Sequence, residues 1–207
     1  MSVDLVATMR EPITLDVLVA TARETMADLL GLAAAPPLAV FADRQYQQGR
    51  QVDLGRRLSG AELGAVLIGE PIPGPWPERP STCHFEFEVG DAGDGAWLMV
   101  VDYSDVPVIG DRADSGDMVE AVFTPHRTCV GVVVAASLAL AAARCGGGEF
   151  VDTEVMMLEP LVPDPIAVIA MTRLARSEDL GFAARCQVYL RQFARLGGWP
   201  RDVTLAG

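Results

Sequence analysis

The chain has 207 residues, half of them hydrophobic, enough for one domain with a substantial core or at most two small lobes sharing one. Its formal charge of -12 argues against nucleic acid and anionic membrane, which need a basic face, and favours a basic or neutral partner. Lysine and asparagine are absent and all 16 basic residues are arginines, which excludes Schiff-base catalysis, a Walker A loop, the kinase strand lysine and a serine–lysine dyad.

The opening MSVDLVATMREP has no charged leader followed by an apolar run and a small-residue cleavage site, so a cytoplasmic location is expected. In that compartment Cys83, Cys129, Cys145 and Cys186 are read as reduced core thiols. Val3 to Thr8 suits a short strand. Thr14 then caps a helix whose apolar positions Leu15, Leu18, Val19, Ala22, Met26, Leu29 and Leu30 keep the i, i+3, i+4 rhythm, and Gly31 stands where it should stop.

Leu38 to Ala42 reads as a buried strand, the polar run around Gly49 as an exposed hairpin or loop, and Ser59 to Ile68 as a short helix. Five prolines between Glu70 and Pro80 exclude regular structure there, because proline lacks the amide donor. Thr82 to Val89 alternates, with Cys83, Phe85, Phe87 and Val89 on one face and His84, Glu86 and Glu88 on the other. After the turn GDAGDG, Trp97 to Tyr103 completes a hairpin; its apolar Leu98 to Val101 place this second strand inside a sheet.

Asp102 to Glu120 carries six acids against a single Arg112 and is expected to be a solvated loop. The central element follows. Thr124 is read as an N-cap, Pro125 as the first helical residue, Cys129 to Ala143 as an unbroken apolar or small run, and Gly146 to Gly148 as the stop. That run is about 15 residues against the roughly 20 of a membrane span, which assigns it to a protein core. Glu149 to Leu158 suggests another strand. Asp164 and Pro165 open a segment to Ala175 that reads as helix, with strand left open by Ile166, Val168 and Ile169. Phe182, Cys186, Tyr189, Leu190, Phe193 and Leu196 give the last helix one apolar face, with Arg185, Arg191 and Arg195 elsewhere. The expected fold is a single α+β domain over 1–207: a mostly antiparallel sheet packed with helices, one of them buried nearly all round.

Two candidate chemistries meet at the helix entrance. His84-Phe-Glu86 with Pro125-His126-Arg127-Thr128-Cys129 partly matches the H-x-E and P-C-x-x-C pattern of zinc-dependent deaminases, with His126 in place of the first cysteine. In that reading His84, His126 and Cys129 hold zinc and Glu86 moves protons. The plainer reading makes His84, Glu86 and Glu88 a polar outer sheet face. Asp91 and Asp94 lack the ligand spacing of an EF-hand and read as turn residues. His126 and Arg127, placed in the first helical turn, sit at the positive end of the dipole; either the preceding acids compensate them or they form an anion pocket.

HRTCVGVVVAASLALAAARCGGGEFVD also resembles a pattern in small uncharacterised actinobacterial proteins, some of them suspected immunity proteins of secreted-toxin systems. The resemblance covers about 30 residues and implies no catalytic residues. It implies a cytosolic, acidic, single-domain binder that neutralises a toxin domain. The expected function is therefore a non-enzymatic protein-binding module. Its contact surface would be Asp105, Asp111, Asp114, Asp117 and Glu120, with Trp76 as an aromatic anchor, and no cofactor. A zinc-dependent deaminase-like hydrolase and a structural or accessory subunit are the alternatives.

Overall fold

A computed structural model describes residues 3–47, 50–70, 82–90, 94–102, 119–177 and 179–200. Its frame is a seven-stranded antiparallel sheet. The strands are β1 (Leu5–Met9), β3 (Leu38–Ala42), β6 (Arg56–Arg57), β8 (Thr82–Val89), β9 (Asp94–Asp102), β10 (Val119–Pro125) and β11 (Phe150–Val151), in spatial order β11-β1-β10-β9-β8-β3-β6. Two small pairs stand apart: β2 (Ile13–Thr14) with β7 (Leu67–Ile68), and the hairpin of β4 (Gln45–Gln47) and β5 (Arg50–Asp53). With its helices the molecule is an α+β protein, as its pattern predicts. β9 lies between β8 and β10, inside the sheet as its apolar pattern predicts.

The helix α3 (Cys129–Cys145) packs across β1, β10 and β9, and every residue from Cys129 to Ala143 is buried. A second layer covers its other side: α1 (Leu15–Leu30), α4 (Pro165–Thr172) and α5 (Phe182–Arg191). A helix between a sheet and other helices has no polar stripe to present, so its apolar character runs all round. Leu5, Ala7, Phe123, Leu98 and Phe87 meet it from the sheet, and Leu18, Ala22, Met26, Tyr189 and Leu190 from the helical layer; all are 1% exposed or less. No helix among the described residues is long and apolar enough to cross a membrane.

The cap signals mostly hold. Gly31 ends α1 in the left-handed region at φ 62, and its amide reaches the Ala27 and Asp28 carbonyls. A side chain there would collide with the Ala175 carbonyl at 2.5 Å, so both conformation and space require glycine. Thr14 stands at the N-cap of α1 but donates its hydroxyl to Asp16 instead of accepting from the helix. Ser59 and Glu62 form a full capping box on α2 (Gly60–Ala65). Asp164 caps α4, which is helical.

Five expectations are corrected. The central helix does not open at Thr124: β10 runs through Pro125, and Thr128 is the N-cap, its hydroxyl accepting from Gly131 N at 2.9 Å. Val119, Ala121, Phe123 and Pro125 all face the core, and strand pairing on both sides outweighs the cap-like Thr-Pro. Glu120 is therefore a half-buried strand residue opposite Thr8 and Val101, not part of a solvated loop. Glu149 to Leu158 contributes only Phe150–Val151 to the sheet, because Asp152 turns the chain by accepting from Met156 N and Met157 N at 2.7 and 2.6 Å. Arg185 is not on the solvent side of α5: 5% exposed, it donates to Leu30 O and Ala175 O, tying off the end of α1. The outer face of β8, finally, is neither simply polar nor simply solvated. Cys129, Cys145 and Cys186 are free thiols.

Candidate functional site

That outer face carries the site. Alternation on β8, β9 and β10 sends Phe87, Leu98 and Phe123 towards α3 and Glu86, Trp97 and Thr124 to the opposite side. The strand register aligns Phe41, Glu86, Trp97 and Thr124 as one transverse row across β3, β8, β9 and β10. Thr124 extends the row by donating to Asp4 at 2.5 Å. Among the described residues no helix is packed across this face. A cavity of about 410 Å³ opens there, walled by Phe41, Phe85, Trp97 and Met99. Arg44, His84, Glu86 and Thr124 give it its polar lining.

Glu86 is the buried centre, 2% exposed. Arg44, from the turn after β3, places Nη1 3.1 Å from Glu86 Oε2, also pairs with Glu88, and lays its guanidinium 3.7 Å over the Phe41 ring. Burial works against the guanidinium's charge, but the bonds to Glu88 and Glu86 outweigh it and hold the proton more tightly than usual. On the other side His126 Nε2 lies 3.2 Å from Glu86 Oε1, within ion-pair reach but off the line of a hydrogen bond. His126 Nδ1 lies 3.8 Å from Asp94 Oδ1, and its ring tilts against Trp97 with centroids 4.7 Å apart.

Asp94 connects this cluster to the central helix. Thr128 donates its hydroxyl to Asp94 Oδ1 at 2.6 Å while accepting from Gly131 N, so one hydroxyl serves carboxylate and helix together. The backbone supports the same corner: His126 N donates to Gly95 O at 2.9 Å and Thr128 N to His126 O at 2.8 Å. The helix entrance thus docks on the β8–β9 hairpin; of the motif residues His84 and Glu86 line the cavity, and His126 stands against Glu86 and Trp97.

Other proposed residues fall elsewhere. Cys129 is 1% exposed in the core, its thiol 3.9 Å from the Pro200 carbonyl, and is not brought to His84 and His126. No group of three His, Cys, Asp or Glu side chains among the described residues could hold a metal. His126 and Arg127 lie in the turn before Thr128 rather than in the first helical turn, and His126 faces two carboxylates, which disfavours a bound anion. Trp76, Asp105, Asp111, Asp114 and Asp117 lie outside the described residues.

Arg44, Asp94, Trp97 and Thr128 are site residues that pattern reading does not single out. Arg44 is 42 positions from Glu86, and only the β3–β8 pairing brings the two together. Asp94 carries a composition signal for a turn, and its role appears only with Thr128 beside it. Neither family models nor curated proteins nor solved structures match the chain, so the site stands on its own geometry.

Proposed function

We propose that this protein is a non-enzymatic binding module of the immunity type, holding a basic protein domain and neutralising it. The observation that carries the reading is the outer sheet face, where Trp97, 37% exposed, stands in register beside the buried Glu86, with Glu88 and Arg44 on the same outer side. A half-buried face with an aromatic anchor and fixed charges is suited to partner recognition, and a chain of net charge -12 draws a basic partner over long range. The acidic run Asp105, Asp111, Asp114 and Asp117 lies in the sequence between β9 and β10 and adds to the steering field. Partner capture in the cytoplasm follows from the same reading.

The product of the neighbouring gene is the partner to test. Titrated calorimetrically against the purified chain, it should bind, and affinity should fall steeply as salt rises from 50 to 500 mM, roughly the range over which screening shortens the Debye length severalfold. Joint replacement of Asp111, Asp114 and Asp117 with Ser should slow association and flatten the salt dependence. Absence of binding at low salt by the folded protein would overturn the reading.

A further inference from the structure

A second cavity, of about 300 Å³, lies in the helical layer where the end of α1 meets the segment that follows α4. Asp28, Gly31 and Leu32 line it from one side, and Arg173, Leu174 and Arg176 from the other. We infer that it binds a small phosphate monoester. This site is independent of the binding reading above, which stands on the outer face of the sheet. In a chain with 28 acids and 16 arginines, the pocket reverses the balance of charge. Arg173 and Arg176 are exposed at it, and among the described residues neither forms an ion pair. Arg185 stands behind Gly31, 5% exposed, and its guanidinium donates to the neutral carbonyls of Leu30 and Ala175 rather than to a carboxylate. Three guanidinium groups therefore meet one carboxylate, that of Asp28.

Cations at a helix C-terminus ordinarily serve the free carbonyls there. Here those carbonyls already have donors. Leu29 O accepts from Leu174 N at 2.9 Å, Leu30 O from Arg185, Gly31 O from Ser177 N at 3.3 Å, and Thr172 O from Gln192 Nε2 at 2.9 Å. The guanidinium groups of Arg173 and Arg176 are thus left for a ligand, and the helix ends repel an anion less. The floor between them is tightly packed: a Cβ on Gly31 would lie 2.5 Å from Ala175 O, 2.7 Å from Leu174 O and 2.8 Å from Arg185 Nη2. A guanidinium presents paired N–H donors that match phosphate oxygens two at a time. A phosphate monoester offers three such oxygens and a charge of about -1.5 to -2 near neutral pH, where a carboxylate offers two oxygens and one charge. Two lining arginines suit the phosphate. Leu32 and Leu174 give apolar surface to a short organic group, and the volume, at the lower end of the roughly 300–1,000 Å³ range of small-ligand sites, excludes a large one.

The probe is ethyl phosphate, with propionate as the singly charged carboxylate control, each titrated at constant ionic strength. Binding is read from the assigned backbone amide resonances of Leu32 and Leu174. Ethyl phosphate should shift them saturably, and propionate should bind about tenfold more weakly. Arg173→Gln and Arg176→Gln, both at exposed positions, should each weaken ethyl phosphate binding about tenfold with the thermal transition intact, the loss expected when one charged hydrogen-bonding group is removed. Arg57→Gln removes an exposed arginine on β6, away from the pocket, and should leave affinity unchanged. Asp28→Asn should strengthen binding by removing the one opposing charge. Equal affinity for the two compounds, no saturable shift in folded protein, or a loss in Arg57→Gln as large as that in Arg176→Gln would overturn the inference.

Discussion

Thr128 is the residue on which the most separate functions converge. Its hydroxyl accepts from Gly131 N, completing the first turn of α3, and donates to the buried Asp94 carboxylate. Removing an N-cap hydroxyl costs about 1 kcal/mol, and stranding a buried polar partner adds roughly 1–3 kcal/mol. Thr128→Ala should therefore lower Tm by roughly 4–16 °C in a domain of this size, measured by calorimetry or circular dichroism. Thr128→Ser keeps both hydrogen bonds and should stay near the parent. An alanine variant as stable as the parent would mean that the hydroxyl carries neither load.

At the scale of elements, the decisive contact is the entrance of α3 against the β8–β9 hairpin. Gly131 and Gly95 face each other across it: a Cβ on Gly131 would sit 2.3 Å from His126 O and 2.9 Å from Gly95 O, both backbone atoms. Neither can move without shifting a strand or the turn that holds His126. Gly131→Ala should destabilise by more than about 2 kcal/mol, since overpacking outweighs the helix-propensity gain of about 1 kcal/mol. Gly64 in α2 is the contrast. There the new methyl meets only the Asp16 carboxylate at 3.4 Å, so Gly64→Ala should be neutral or stabilising by up to about 1 kcal/mol. Urea titrations of the two variants side by side measure the difference.

Over the whole molecule, α3 touches the sheet on one side and α1, α4 and α5 on the other, so neither layer keeps a core without it. Unfolding should follow one calorimetric transition, with van't Hoff and calorimetric enthalpies equal. Two resolved transitions would show that the helical layer and the sheet melt as separate units. The same layering accounts for where binding is proposed: inner-face side chains such as Leu5, Leu98 and Phe123 pack towards α3, and Trp97 and its row lie on the face that no described helix covers.

Much of this was legible in one dimension. The spacing of apolar residues announced α1, α5 and the buried α3, alternation announced the β8–β9 hairpin, and Gly31, Ser59 and Asp164 marked helix ends, because each signal is a local preference that the fold then used. The helix entrance was misread for the converse reason. Thr124-Pro125 and Thr128 are both competent caps locally, and pairing of β10 with β1 and β9 chose the second. His84, Glu86 and His126 stood out as chemistry-bearing residues. Their meaning changed once Arg44 and Asp94, distant along the chain, were folded against Glu86 and His126. Sequence by itself determined the periodicities, the charge and the reactions the chain lacks residues to perform. Tertiary structure alone decided which carboxylate is buried, which cation meets it and which sheet face no described helix covers, because burial and ion pairing depend on distances that only strand register sets.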